Sequence, residues 1–274
     1  MKINILGGET YILKNGKTIT AKKSYSILVW IALIIAIIFS YYITDVDFGK
    51  FISRFSRAGD ILIELFSFEK TDFQDIKNVI MEPMLQTISM SFLGSFLGVL
   101  FALPVALFTS TNLNSSFFLW IVRFILNIIR TIPVILLALM LTYILGIGVF
   151  AGFMAIFIFT FTITVKMLYE YIETLNMGSY EAARASGLSK VAAIRYTIMP
   201  QLKAYYYSTA LYSFEMNIRS AAILGYVGAG GIGLILNESL GLKRYTTAGM
   251  ILIMLIIIVM IIESFSRYLR KRVV

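Results

Sequence analysis

The sequence predicts an all-α membrane protein of six transmembrane helices with both termini in the cytoplasm, and three observations carry that expectation. Of 274 residues, 59% are apolar and 14% charged, with a mean hydropathy of +0.85, too apolar for a soluble domain of this length. The apolar residues gather into blocks near span length, since a hydrocarbon core of about 30 Å needs about 20 of them in a helix. The formal net charge of +9 rests on basic residues that fall largely on one side when the blocks are threaded alternately across a bilayer.

Composition also excludes chemistry. Without Cys or His there are no disulfides, thiolate or imidazole metal sites, His-based triads or His proton relays. No catalytic constellation remains, so the chain reads as no enzyme, with no metal and no cofactor of its own. Topology accounts for the basic surface, and nucleic acid is not called for as a partner.

Residues 1–25 carry Lys2, Lys14, Lys17, Lys22 and Lys23 against the single acid Glu9, and read as a cytoplasmic tail. Asn15-Gly16-Lys17-Thr18 looks like the end of a P-loop, but Tyr11 stands where its first glycine belongs. Residues 26–44 form the first span, followed by Tyr41, Tyr42 and Asp45 rather than a small-residue cleavage site, which is compatible with an uncleaved signal anchor. Residues 45–83 have an acidic excess that suits the outer face. Within them Phe48, Phe51, Ile52 and Phe55, then Ile61, Leu62, Leu65 and Phe66, recur at helical spacing and predict interfacial helices.

Residues 84–266 hold the remaining five spans. The second, Met84–Phe108, carries Gly94 and Gly98 at GxxxG spacing, small enough for close helix packing either within one subunit or between two. Pro104 is expected to kink it. Phe117–Arg130 is apolar except for Arg123 and Arg130, seven residues apart, and predicts an interfacial helix with snorkelling arginines. The third span follows Ile132-Pro133 and ends near Leu145. A short uncharged hairpin then leads to the fourth, from Phe153 to about Met167.

The loop 169–199 is a polar interruption between apolar blocks. Ser179 is a candidate cap for a short helix with Glu181 in its first turn, Gly187 ends that helix, and Ser189 caps a second one running through Lys190 to Met199. Pro200 suits the start of the fifth span, Gln201–Leu224. A sixth, from Thr246 to Ile262, precedes the basic tail 267–274 with Arg267, Arg270, Lys271 and Arg272.

Inside the fifth span Glu215 and Arg219 lie four residues apart, the favourable orientation for an ion pair, with Asn217 between them. A charge within a bilayer costs several kcal/mol unless paired or hydrated, roughly, so two readings stay open. Either the pair locks the span against its neighbours, or Arg219 lies on a path and compensates a passing oxyanion, whose geometry a guanidinium matches. Gly228-Ala229-Gly230-Gly231-Ile232-Gly233 fits the dinucleotide fingerprint GxGxxG, but no strand precedes it and no parallel-sheet pattern surrounds it. These glycines instead suit a gate or re-entrant turn, or simple close packing.

Glu181-Ala182-Ala183, then Gly187 and Pro200, resembles the EAA loop of ABC-importer permeases, the cytoplasmic segment that plugs into a groove on the ATPase subunit. Thr197 and Met199 depart from it, standing where many members carry Ile and Leu. The run Phe214–Gly225 continuing to Gly233, together with Ile194-Arg195-Tyr196, Met199-Pro200-Gln201 and Arg130-Thr131-Ile132-Pro133, resembles the phosphonate-importer branch of that superfamily. The resemblance covers residues from about Met84 onward. It implies a type I ABC-importer permease fold in the cell membrane of a prokaryote, as a homodimer with two ATPase subunits and an extracytoplasmic substrate-binding protein. Phosphonate or a related phosphorus oxyanion would be the cargo, with ATP and Mg on the partner ATPase. Glu181, Ala182, Ala183, Gly187 and Pro200 would serve ATPase coupling, and Glu215, Asn217, Arg219, Gly228, Gly230, Gly231 and Gly233 the path or gate. The alternative is an ion-coupled secondary transporter that uses Glu215, which leaves the central loop unexplained and lacks a visible inverted repeat.

Overall fold

A computed structural model of the protein describes residues 10–12, 16, 18–20, 26–44, 47–68 and 79–273. The five lysines and Glu9 of the N-terminal tail, and Asp45, Glu69, Lys70, Asp72, Asp75 and Lys77 of the acidic segment, lie outside the described residues. Two compact units emerge, residues 1–60 and 61–274.

In the first unit, β1 (Thr10–Ile12) pairs antiparallel with β2 (Thr18–Thr20), Tyr11 opposite Ile19. A small hairpin stands where the sequence suggested only a polar tail; every other described element is helical, as the sequence predicts. α1 (Ser26–Thr44) is apolar on all sides, and its described side chains are all exposed, as a helix facing lipid requires. α2 (Phe48–Leu65), whose residues 61–65 count with the second unit, is one helix where two apolar clusters suggest separate pieces. The Asp47 carboxylate accepts a hydrogen bond from the Lys50 backbone N–H at 2.9 Å, which caps its start.

The second unit is built on α3 (Met81–Thr109) and α6 (Val149–Thr174). Gly94, Gly98, Ala102 and Ala106 recur every four residues on one face of α3, and all are buried. A Cβ on Gly94 would lie 2.7 Å from Ile156 Cγ2, and one on Gly98 would lie 2.9 Å from Thr160 Cβ. Both glycines thus face α6 of the same chain. Water supplies no driving force between helices in lipid, so this close fit must hold the pair, helped by Asn217, which donates to Ser95 of α3 and Thr160 of α6.

α4 (Phe117–Thr131) is capped by Ser116, whose hydroxyl accepts from the Phe118 N–H. Arg123 on α4 does not snorkel: its side chain is 11% exposed and ion-paired with Glu173 of α6. After Ile132-Pro133 the chain turns by 92° into α5 (Val134–Leu145). Twelve residues rise only about 18 Å, too short to cross a membrane alone. α6, by contrast, extends beyond both ends of the expected fourth span.

The polar interruption forms α7 (Gly178–Ala185), α8 (Lys190–Ala193) and a π-helical segment, Ile194–Ile198, that runs directly into α9 (Met199–Leu224). α10 (Ile232–Gly241) and α11 (Tyr245–Val273) complete the unit. The basic residues 267–272 form the last turns of α11 rather than a separate tail. Four described helices, over residues 27–44, 81–109, 149–174 and 245–272, are long and apolar enough to cross a membrane. The pairs 117–131 with 134–145 and 190–227 with 232–241 raise the count to six if each bent pair is one span.

Candidate functional site

The central helical hairpin, residues 178–198, projects its polar groups outward. Ser179 does not cap α7. The helix starts two residues earlier than a Ser179 cap would set it, and the Asn176 side-chain oxygen accepts from the Gly178 N–H at 2.9 Å. Glu181, Ala182 and Arg184 are exposed, and no residue of α7 is buried. On its inner side Met177 and Tyr180 pack against the cluster of Ala106, Leu168, Ile172 and Ile198.

Gly187 has φ +89° and reverses the chain. The Leu188 N–H donates to the Ala183 carbonyl at 3.2 Å and the Gly187 N–H to the Arg184 carbonyl at 3.1 Å, which is the Schellman closure of a helix C-terminus. Nothing lies within 4 Å of where a Gly187 Cβ would sit, so backbone conformation alone demands the glycine. Ser189 then caps α8 as the sequence predicts, accepting from the Ala192 N–H.

Pro200 ends nothing. It occupies the first turn of α9, and the π-helical segment before it absorbs its missing N–H, so the hairpin's second arm and the next apolar helix are continuous. The Gln201 side chain donates to the Thr197 carbonyl at 2.7 Å across this junction. The hairpin and α9 are thereby joined without an intervening loop.

The polar residues of α9 do not converge. Glu215 is 9% exposed at its side chain and binds two guanidinium groups, Arg219 at 3.0 Å through one oxygen and Arg270 of α11 at 2.7 Å through the other. Arg270 had been read as part of a cytoplasmic tail, and no local sequence signal pairs it with Glu215. Asn217, two residues on and fully buried, points instead between α3 and α6 and donates to Ser95 Oγ at 2.8 Å and Thr160 Oγ1 at 2.6 Å. Arg219 keeps about half of its side chain exposed.

The glycine-rich stretch is a tightly packed bend. Residues 225–227 form a 3₁₀ turn, and α10 folds back so closely that a Cβ on Gly233 would lie 1.9 Å from the Ala222 carbonyl oxygen. Gly228 accepts from the Gly148 N–H at 2.9 Å, and a Cβ on Gly230 would meet Val149 N at 2.7 Å. The Ile232 N–H donates to Thr87 Oγ1 at 2.7 Å and a Cβ on Gly231 would meet the same hydroxyl. Thr87, Gly148 and Gly152 therefore belong to this bend. Among the described residues no group of acidic side chains could hold a metal ion.

The chain belongs to the family of binding-protein-dependent transport system inner membrane components, whose model matches residues 94–274. It is 30% identical over 201 residues to the phosphite transport system permease protein PtxC of Stutzerimonas stutzeri, covering 73% of each chain. The putative phosphite transport system permease protein HtxC of the same organism is 27% identical over 263 residues, 96% of this chain and 92% of that one. The phosphate-import permease protein PhnE of Mycolicibacterium smegmatis is 30% identical over 69% of this chain, which spans 36% of that protein. Among solved structures, a chain of the inward-facing MetNI methionine ABC transporter superposes with a TM-score of 0.64 at 23% identity, over 73% of this chain and 98% of that one. A crystal structure of an amino acid ABC transporter gives 0.62 at 18% identity, over 76% and 100%. These two likenesses bear on the fold alone. The chain is an ABC transporter permease, a multi-pass membrane component of a transport system rather than an enzyme.

Proposed function

We propose that this chain forms the translocation path of an ATP-driven importer for phosphonate or a related phosphorus oxyanion, with hairpin 178–198 seating in the ATPase subunit. The observation that carries the proposal is the hairpin itself: exposed, closed by Gly187, and continuous with α9. Glu181, Ala182, Ala183 and Gly187 shape the coupling helix, and Pro200 lies where its second arm becomes the span. Two ATPase subunits holding ATP and Mg, an extracytoplasmic binding protein and a second copy of this chain complete the assembly. Six spans with both termini cytoplasmic place the hairpin on the ATPase side. The phosphorus oxyanion is supported by the phosphite and phosphate transport named for the relatives.

Alternating access follows from this arrangement. Closure of the ATPase dimer draws the two hairpins together, α9 carries the displacement to the bend at Gly225–Gly233, and that bend acts as the gate. Arg219, half-exposed beside Glu215, is the group on α9 suited to accompany an anion; Asn217 lies between helices and serves the packing beside the path. The ion-coupled alternative is disfavoured because both Glu215 oxygens are taken by guanidinium groups. Purification of the tagged protein from its native membrane in mild detergent tests the proposal. An ABC-type ATPase should accompany it in equal amount and be lost on Glu181→Lys. Recovery of the chain alone, with uptake that follows a proton gradient and ignores ATP, contradicts it.

A further inference from the structure

Loop 110–116 is tied both to the end of α6, just before the hairpin, and to Lys190 in the hairpin's second arm. On the near side, Glu173 in the last turn of α6 accepts from the Thr111 N–H at 2.8 Å and the Thr111 hydroxyl at 2.7 Å, and forms the ion pair with Arg123. Asn112 donates to the Glu173 carbonyl at 3.0 Å. On the far side, Lys190 in the first turn of α8 donates to Asn114, whose amide holds the Leu107 and Phe108 carbonyls at 2.9 Å each.

Arg123 is the centre of this node. Its Nε donates to the Thr109 carbonyl at 2.8 Å, its Nη2 reaches Glu173, and its guanidinium lies 3.9 Å from the centre of the Tyr169 ring. One side chain thus joins the end of α3, the helix α4 and the end of α6. A planar guanidinium can serve a carbonyl, a carboxylate and an aromatic face together; the single ammonium of a lysine cannot. With Arg123 and Glu173 mostly withdrawn from water, the pair is screened far less than a surface salt bridge.

We propose that Arg123 and Glu173 are positioning residues for coupling: they lock the hairpin, loop 110–116 and helix α4 into one lever, so that a push on the hairpin reaches α3 as well as α9. The inference rests on the importer reading above. Without the node, the hairpin would keep only its apolar packing against α3 and α6, and ATP hydrolysis would continue with less transport.

The test is uptake of radiolabelled methylphosphonate per ATP hydrolysed, in proteoliposomes carrying the purified permease–ATPase complex and its binding protein. Arg123→Lys, Glu173→Gln and Thr111→Val should lower that ratio about two- to thirtyfold, with ATPase co-purification and hydrolysis rate preserved. Thr111→Ser, which keeps the hydroxyl donor, should restore it. If wild type couples uptake to ATP and these variants keep its ratio, the importer reading stands and the inference falls. Loss of the ATPase from all three variants would reduce the node to a fold staple and overturn it equally. A wild-type chain with no ATPase removes the importer reading itself, and the inference with it.

Discussion

Arg270 Nη2 lies 2.7 Å from Glu215 Oε2, joining the basic end of α11 to the interior of α9. The sequence suggested that Glu215 needed a partner and offered Arg219, which does pair with it, but the more buried guanidinium is Arg270. Removing one partner of a withdrawn ion pair leaves the other charge underserved. Arg270→Gln should therefore destabilise the detergent-solubilised protein by about 2 kcal/mol, and Arg219→Gln by less. Thermal unfolding of the two variants side by side checks the order; a larger loss for Arg219→Gln would count against Arg270 as the structural partner.

At Gly225, Gly230, Gly231 and Gly233 the bend leaves no room for a methyl group. A Cβ on Gly233 would lie 1.9 Å from a backbone oxygen, which cannot move as a flexible side chain could, whereas Gly241 at the end of the same helix has nothing within 4 Å. Gly233→Ala should cost about 1–3 kcal/mol or prevent accumulation of folded protein, and Gly241→Ala should be neutral. Membrane yield and size-exclusion profile separate the two. Equal behaviour would show that the bend is looser than the packing indicates.

At Gly187 the demand is conformational and not steric. Asn adopts the left-handed region more readily than Ala, so Gly187→Asn should keep most uptake, while Gly187→Ala should lose about 1–2 kcal/mol of local stability. Gly187→Pro, whose ring fixes φ at about −65°, should abolish ATPase co-purification. Uptake by all three variants reads the series. Full activity in Gly187→Pro would sink the claim that the turn shape matters.

Much of this fold was legible because lipid imposes a simple rule on apolar length. α1 is found at the expected residues, and Gly187 and Ser189 end and start their helices through local backbone chemistry that sequence reports well. What escaped was set by partners distant in the chain. Arg123 turned inward because Glu173 and the Thr109 carbonyl awaited it, and Arg270 met Glu215 across two helices. Pro200 lies at a helix start, as the sequence suggests, but the π-helical segment before it makes the two helices continuous, which the residue pattern does not report.

Seating of the hairpin on an ATPase is the central claim, and the chain's lack of cysteine permits a direct measurement. Ser186, exposed at the tip beside Gly187, can be replaced by a single Cys and probed with a short thiol crosslinker in native membranes, with Tyr143→Cys as an exposed control on α5. A hairpin seated on the ATPase gives a crosslink from Ser186→Cys to an ABC-type ATPase, altered in yield by ATP, and none from Tyr143→Cys. No ATPase product from Ser186→Cys, in membranes where the variant still imports its substrate, would contradict it.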